Sequence, residues 1–195
     1  MDASLPRERI RLVVGMSGSS APQLGVALLE RLRLIDCVET HFVMSQGAKL
    51  SAKLEADLEP EEIEALADVS YDARNLGAAI SSGSFLTHGM VVIPCSMRTL
   101  AAIATGNSAD LLSRAADVTL KERRPLVLVT RESPLNLIHI RNMETVTLAG
   151  ATVFPPVLGF YHRPKSIDDI VNQIVGKVLD QFKIPHDLFE RWSGA

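Results

Sequence analysis

The sequence predicts an α/β fold in which helices cover both faces of a parallel sheet, and three observations predict it. Short apolar runs alternate with stretches of helical periodicity along the whole chain. The runs are short and mostly apolar, as suits strands buried on both faces. The residues that follow them are glycines, small hydroxyls and cations, a composition suited to binding at the carboxyl ends of strands.

Leu12-Val13-Val14 reads as the first strand, followed by the Gly15–Ser20 loop. Pro22 then stands where a helix begins, since its missing N–H costs nothing in a first turn. Leu24, Ala27, Leu28, Arg31 and Leu32 recur at helical spacing. Val38 to Met44 reads as a second strand, with His41 pointing away from the more apolar face. Residues 47–79 are more polar and read as helical or irregular, Leu58 to Glu62 resembling a helix start. Met90 to Pro94, Pro125 to Val129 and Ala151 to Phe154 read as three further strands. Between and after them, Leu100 to Leu120, Leu137 to Leu148 and Ile167 to Phe182 carry helical periodicity. No repeat or linker interrupts the pattern, so residues 1–195 are expected to form one domain.

Composition narrows the function. The 195 residues are 47% hydrophobic and 22% charged, with a formal charge of −3 that argues against a general nucleic-acid binder. Two cysteines, Cys37 and Cys95, give no disulfide framework and fit reduced thiols in a cytoplasmic protein. No apolar stretch approaches the roughly 18–20 residues that cross a bilayer. Met1 to Arg11 lacks the pattern of a signal peptide, so a cytoplasmic location away from membranes is expected.

The strand-end residues have more than one reading. Gly15–Ser20 suits a phosphate at a helix N-terminus and suits an ordinary tight turn equally well. Ser96 and Thr99 fit helix capping. Lys121-Glu122-Arg123-Arg124 fits a solvated helix end, whereas Arg131-Glu132, directly after a strand, favours function. Tyr161 and His162-Arg163-Pro164 lie where a lid would. The histidines show no metal-ligand spacing, and Cys95 reads as a packed thiol.

Several segments, taken in order, resemble the UbiX flavin prenyltransferases. They are Ser81-Ser82-Gly83-Ser84-Phe85, Pro94-Cys95-Ser96-Met97-Arg98-Thr99-Leu100 and Arg114-Ala115-Ala116-Asp117-Val118. The likeness continues through Leu120 to Leu128, Arg131-Glu132-Ser133-Pro134-Leu135 and Phe160-Tyr161-His162-Arg163-Pro164, and closes on Asp187 to Trp192. The resemblance implies a Rossmann-like, flavodoxin-like three-layer sandwich that joins the dimethylallyl group of dimethylallyl monophosphate to N5 and C6 of reduced FMN. The product would be the prenylated FMN cofactor of a UbiD-type decarboxylase. By motif position, Gly18, Ser19, Ser20, Ser45, Ser96, Met97, Arg98, Thr99 and Arg131 would hold FMN. Tyr161 and Lys177 would hold the donor phosphate with Lys121 and Arg131 nearby, and Arg114 and Trp192 would complete the substrate site. Ser20, Glu55, Lys121 and Glu132 would serve the chemistry, Glu132 as a base and Ser20 as a relay.

The same resemblance implies a homo-oligomer, a dodecamer in the family, with a tail of about residues 183–195 at a subunit boundary. It implies no metal. The chain departs from the family loop Gly-Ala-Ser-Gly-Ala at Gly18-Ser19-Ser20-Ala21-Pro22, where Ala21 replaces a glycine and would be strained at positive φ. Two other readings remain. A flavin-dependent cysteine decarboxylase would carry a Pro-x-Met-Asn-x-x-Met-Trp segment that Ser133 to His139 lacks. A non-catalytic flavin carrier would share most of the binding residues.

Overall fold

The structure, a computed structural model, describes residues 9–192 and Gly194. Six parallel strands form one sheet in the order β3-β2-β1-β4-β5-β6. They are β1 Ile10–Met16, β2 Val38–Met44, β3 Val69–Asp72, β4 Gly89–Cys95, β5 Leu126–Thr130 and β6 Thr152–Val153. Seven helices connect and cover them: α1 Gln23–Arg33, α2 Gln46–Glu55, α3 Pro60–Glu64, α4 Met97–Thr105, α5 Leu111–Lys121, α6 Leu137–Leu148 and α7 Ile167–Gln181. This is the doubly wound order, with a switch of direction between β1 and β4.

Strand alternation divides the core in two. Leu12, Val14, Met16, Phe42, Met44, Val91, Ile93, Val127 and Val129 point to the face covered by α1 and α7. Val13, Val43, Met90, Val92, Leu126 and Leu128 point to the face covered by α4, α5 and Val146 of α6. His41 takes this second face as expected, yet it is buried there between Glu39 and the Tyr71 hydroxyl, at 3.0 and 2.9 Å. Gly25 brings α1 against the end of β4, because a Cβ there would stand 2.5 Å from the Ile93 carbonyl oxygen.

Two sequence expectations need correction. The polar 47–79 segment contains a strand, β3, besides its two helices. It is a short edge strand with half-exposed residues, so no apolar run marks it. The helix expected over Leu100–Leu120 is two helices, α4 and α5, because Gly106 caps α4 in the left-handed conformation at φ 68. Among the described residues no helix is long and apolar enough to cross a membrane.

Candidate active site

The strand ends at the β1/β4 switch are tied together by backbone. Ser17 donates to the Pro94 carbonyl through both its N–H and its hydroxyl, each at 3.1 Å. Ser96 N–H in turn donates to Ser17 Oγ at 2.7 Å. Ser45 N–H donates to the Met16 carbonyl at 2.9 Å, and Arg131 N–H to the Cys95 carbonyl at 3.2 Å. Ser19 Oγ then donates to the Arg131 carbonyl at 3.0 Å. Four loops, after β1, β2, β4 and β5, are thereby held in one place.

A cleft of about 370 Å³ opens there, lined by Gly18, Ser45 and Gly47, by Ser96, Arg98 and Thr99, and by Arg74 and Asp110. Gly18 has a specific reason to be glycine, since a Cβ on it would lie 2.7 Å from Gly47 Cα. The two loops meet as bare backbone. Ser45 and Ser96 cap α2 and α4, their hydroxyls accepting from Ala48 and Thr99 N–H at 3.2 Å each. Both helices thus turn their N-terminal ends, with first-turn N–H groups lacking intrahelical partners, toward one cleft. With two guanidinium groups beside them, this donor set fits the phosphate and polyol of a flavin mononucleotide. Of the residues expected to hold flavin, Gly18, Ser45, Ser96, Arg98 and Thr99 line the cleft, Ser19, Ser20 and Arg131 belong to the loops after β1 and β5 beside it, and Met97 is buried in the core.

Beside the cleft, the Glu55 carboxylate accepts from Ser20 Oγ at 2.7 Å and from Ala21 N–H at 3.1 Å. Ala21 does take the left-handed conformation, φ 69, that the family glycine would take freely. Glu132 is exposed just after β5, its carboxylate accepting from Ser133 N–H at 3.1 Å. Cys95 is fully enclosed, and burial pushes its thiol up to about 12, so it is no nucleophile.

A second cleft of about 370 Å³ is lined by Tyr161, His162, Arg163, Glu190, Arg191 and Trp192. Asp180 of α7 organises it. Arg191 forks onto Asp180 at 2.7 and 3.1 Å, His186 reaches it at 3.1 Å, and Lys177 Nζ stands 3.8 Å away. The Arg191 hydrogen bonds hold the Asp180 carboxyl below the usual carboxylate range. Lys177 is thereby tied through Asp180 to Arg191, which lines the cleft with Tyr161 and Trp192. Both ring nitrogens of His162 are enclosed with no hydrogen-bond partner among the described residues. The two clefts share no lining residue.

One expected neighbour is elsewhere. Lys121 ends α5, which runs antiparallel to the strands, and it pairs with Glu122 beside Gly83 on the amino edge of the sheet. The length of β5, roughly 15 Å, separates that edge from Arg131. Within one chain Lys121 and Arg131 are not together. Arg114, one turn into α5, is bound to Asp117 at 2.7 Å and to the Ser81 carbonyl at 3.2 Å. The polar cleft residues Arg74 and Asp110, and the close-packed Gly47, were not among the expected site residues. Gly47 could have been found by extending the strand-end rule two residues past Ser45. Arg74 follows β3, which carried no signal. No three His, Cys, Asp or Glu side chains among the described residues stand together as metal ligands.

Comparisons with known proteins agree on one family. A family model described as Flavoprotein matches residues 2–179. The flavin prenyltransferase UbiX of Escherichia coli (strain K12) is 56% identical over 187 residues, covering 95% of this chain and 99% of the relative. The structure of AnUbiX (PadA1) in complex with FMN and dimethylallyl pyrophosphate superposes with a TM-score of 0.94 at 51% identity, over 96% of this chain and 99% of that one. A dodecameric FMN-dependent UbiX-like decarboxylase from Escherichia coli O157:H7 superposes with a TM-score of 0.93 at 50% identity, over 95% of this chain and 100% of that one. The peptidyl-cysteine decarboxylase EpiD, at 16% identity and a TM-score of 0.61, is alike in fold alone.

Proposed function

The chain belongs to the UbiX flavin prenyltransferases, and on that premise we propose that it joins the dimethylallyl group of dimethylallyl monophosphate to N5 and C6 of reduced FMN. The observation that carries the reading is the strand-edge cleft, where two capped helix N-termini, Arg74 and Arg98 converge on bare backbone at Gly18 and Gly47. Bound flavin supplies the nucleophilic N5 and C6 and an electron-rich face for the allylic carbon.

The chain's residues do the rest. Lys177, Tyr161, Arg131 and Lys121 take up the charge on phosphate as the allylic C–O bond breaks and the electron pair leaves with the oxygen. Glu132 accepts the proton that C6 gives up, and the Ser20–Glu55 hydrogen bond holds a proton-exchanging hydroxyl beside the flavin. Ser19 and Arg131, tied to each other, would help hold the flavin.

A homo-oligomer completes the site in this reading. The Tyr161 cleft and the flavin cleft share no lining residue in one chain, and Lys121 is on the opposite edge of the sheet. Leu137, Ile138 and Ile140 of α6, with Val157 and Phe160 of the loop after β6, leave apolar surface exposed. A neighbouring subunit would cover that surface and bring its own Tyr161, Lys177 or Lys121 to the flavin, as a dodecamer allows. The product would pass to a UbiD-type decarboxylase in the cytoplasm.

Incubation of the pure protein with reduced FMN and dimethylallyl monophosphate, followed by mass spectrometry of the flavin, tests the reaction. A flavin heavier by one five-carbon unit is expected. Unchanged FMN would make the protein a carrier. The diphosphate donor, run in parallel, reads the donor preference.

A further inference from the structure

We propose that Arg74, clamped by Asp72, reads the phosphate of the flavin and so sets the preference of the cleft for FMN over riboflavin. This deepens the flavin reading above and rests on it. The placement follows from register. β3 pairs in parallel with β2 so that Asp72 stands level with Met44, the residue before the Ser45 cap of α2. The two residues after Asp72 therefore arrive beside the N-terminus of α2, and Ala73 and Arg74 both line the cleft there.

The guanidinium is fixed on one edge and free on the other. Arg74 Nε donates to both Asp72 carboxylate oxygens at 3.1 and 3.2 Å, and Nη2 donates to Oδ2 at 2.6 Å. Arg74 N–H also donates to Asp72 Oδ1 at 2.9 Å, which turns the chain back on itself. Nη1 makes no hydrogen bond to any described residue. The Arg74 hydrogen bonds hold the Asp72 carboxyl down to about 2, so the clamp stays charged through the neutral range. Arg74 also walls a smaller hollow of about 230 Å³ with Lys49, Glu64 and Tyr71, standing as the partition between the two.

The fold does not need this pair. Arg74 is 81% exposed and Asp72 48% exposed, and exposed ion pairs contribute little to stability. A planar fork held in one orientation beside two helix N-termini is instead suited to a phosphate, which accepts two parallel N–H bonds. Asp110, the acid in the same cleft, is already engaged by Ser113 N–H and Oγ at 2.8 and 2.7 Å, capping α5. Arg74 and Arg98 are the two cations in the cleft lining.

Titration of wild type, Arg74→Ala and Arg74→Lys with FMN and with riboflavin, followed by flavin fluorescence, tests the assignment. Arg74→Ala should weaken FMN about tenfold or more, the loss of a charge-assisted hydrogen bond. Riboflavin affinity should stay within about twofold, since it has no phosphate to lose that bond. Arg74→Lys should recover part of the FMN affinity by restoring charge without the fork. Equal weakening of both flavins, or no weakening of either, would overturn the assignment. If wild type binds neither flavin, the flavin reading itself falls and takes this one with it.

Discussion

The two clefts are built by different means. The flavin cleft stands on strand ends joined backbone to backbone, from Ser17 to Pro94, Ser45 to Met16 and Arg131 to Cys95. The Tyr161–Trp192 cleft, proposed above as the donor cleft, stands on the loop after β6 and on the tail, held to α7 by side chains that meet at Asp180. Backbone ties at a sheet edge fix a ligand of defined shape. Side-chain ties leave a surface that can be rearranged when another subunit docks. Binding and reactivity should therefore separate under mutation.

The largest effect should fall on the rigid cleft. Gly18→Val drives a side chain into Gly47, and overpacking of this kind costs about 1–3 kcal/mol. Because the strain sits where the flavin binds, FMN affinity should fall by about a hundredfold, measured by titration. Arg191–Asp180 docking, read by the anisotropy of Trp192, the single tryptophan, should not change. Next, Glu132→Gln should leave FMN bound but slow single-turnover product formation by about a hundredfold, the usual scale for removing a general base. Wild-type rates would remove Glu132 from the mechanism. On the other cleft, Lys177→Ala should raise the KM for the donor by about tenfold, as removal of a charged hydrogen-bond donor to phosphate does, and leave FMN affinity unchanged. Equal losses for both ligands would erase the distinction.

Acid should loosen the donor cleft. Asp180 is held ionised below its ordinary value, mainly by Arg191, so its contribution is complete above about pH 4. It disappears as pH falls through the lowered folded value, where Asp180 takes up a proton and the Arg191 fork opens. Trp192 anisotropy should drop over that range in wild type and already be low at neutral pH in Asp180→Asn. The smallest effect is expected at Ala21. Ala21→Gly relieves a left-handed alanine and should stabilise the protein by about 1 kcal/mol, raising Tm by about 2–4 °C.

What the sequence disclosed follows the same division. Val38–Met44 and Leu137–Leu148 were readable to the residue. The loops after β1, β2, β4 and β5 were readable as strand ends. The four-residue edge strand Val69–Asp72 was not, because alternate half-buried positions leave no apolar run, and Arg74 was lost with it. The helix break at Gly106 carried a signal, a glycine before Asn107, that the helical periodicity on either side concealed. Lys121 was placed by motif beside Arg131, but motif order says nothing of helix direction, and α5 carries Lys121 to the far edge.

The separation of the clefts is tested most directly by mixing inactive chains. Gly18→Val chains lack a flavin cleft, and chains with both Tyr161→Phe and Lys177→Ala lack a donor cleft. Co-assembled from denaturant or co-expressed, they should regain prenylation of FMN, because some sites then pair an intact flavin cleft with an intact donor cleft from a neighbour. Mixed assemblies as inactive as either parent would contradict this and return the whole reaction to a single chain.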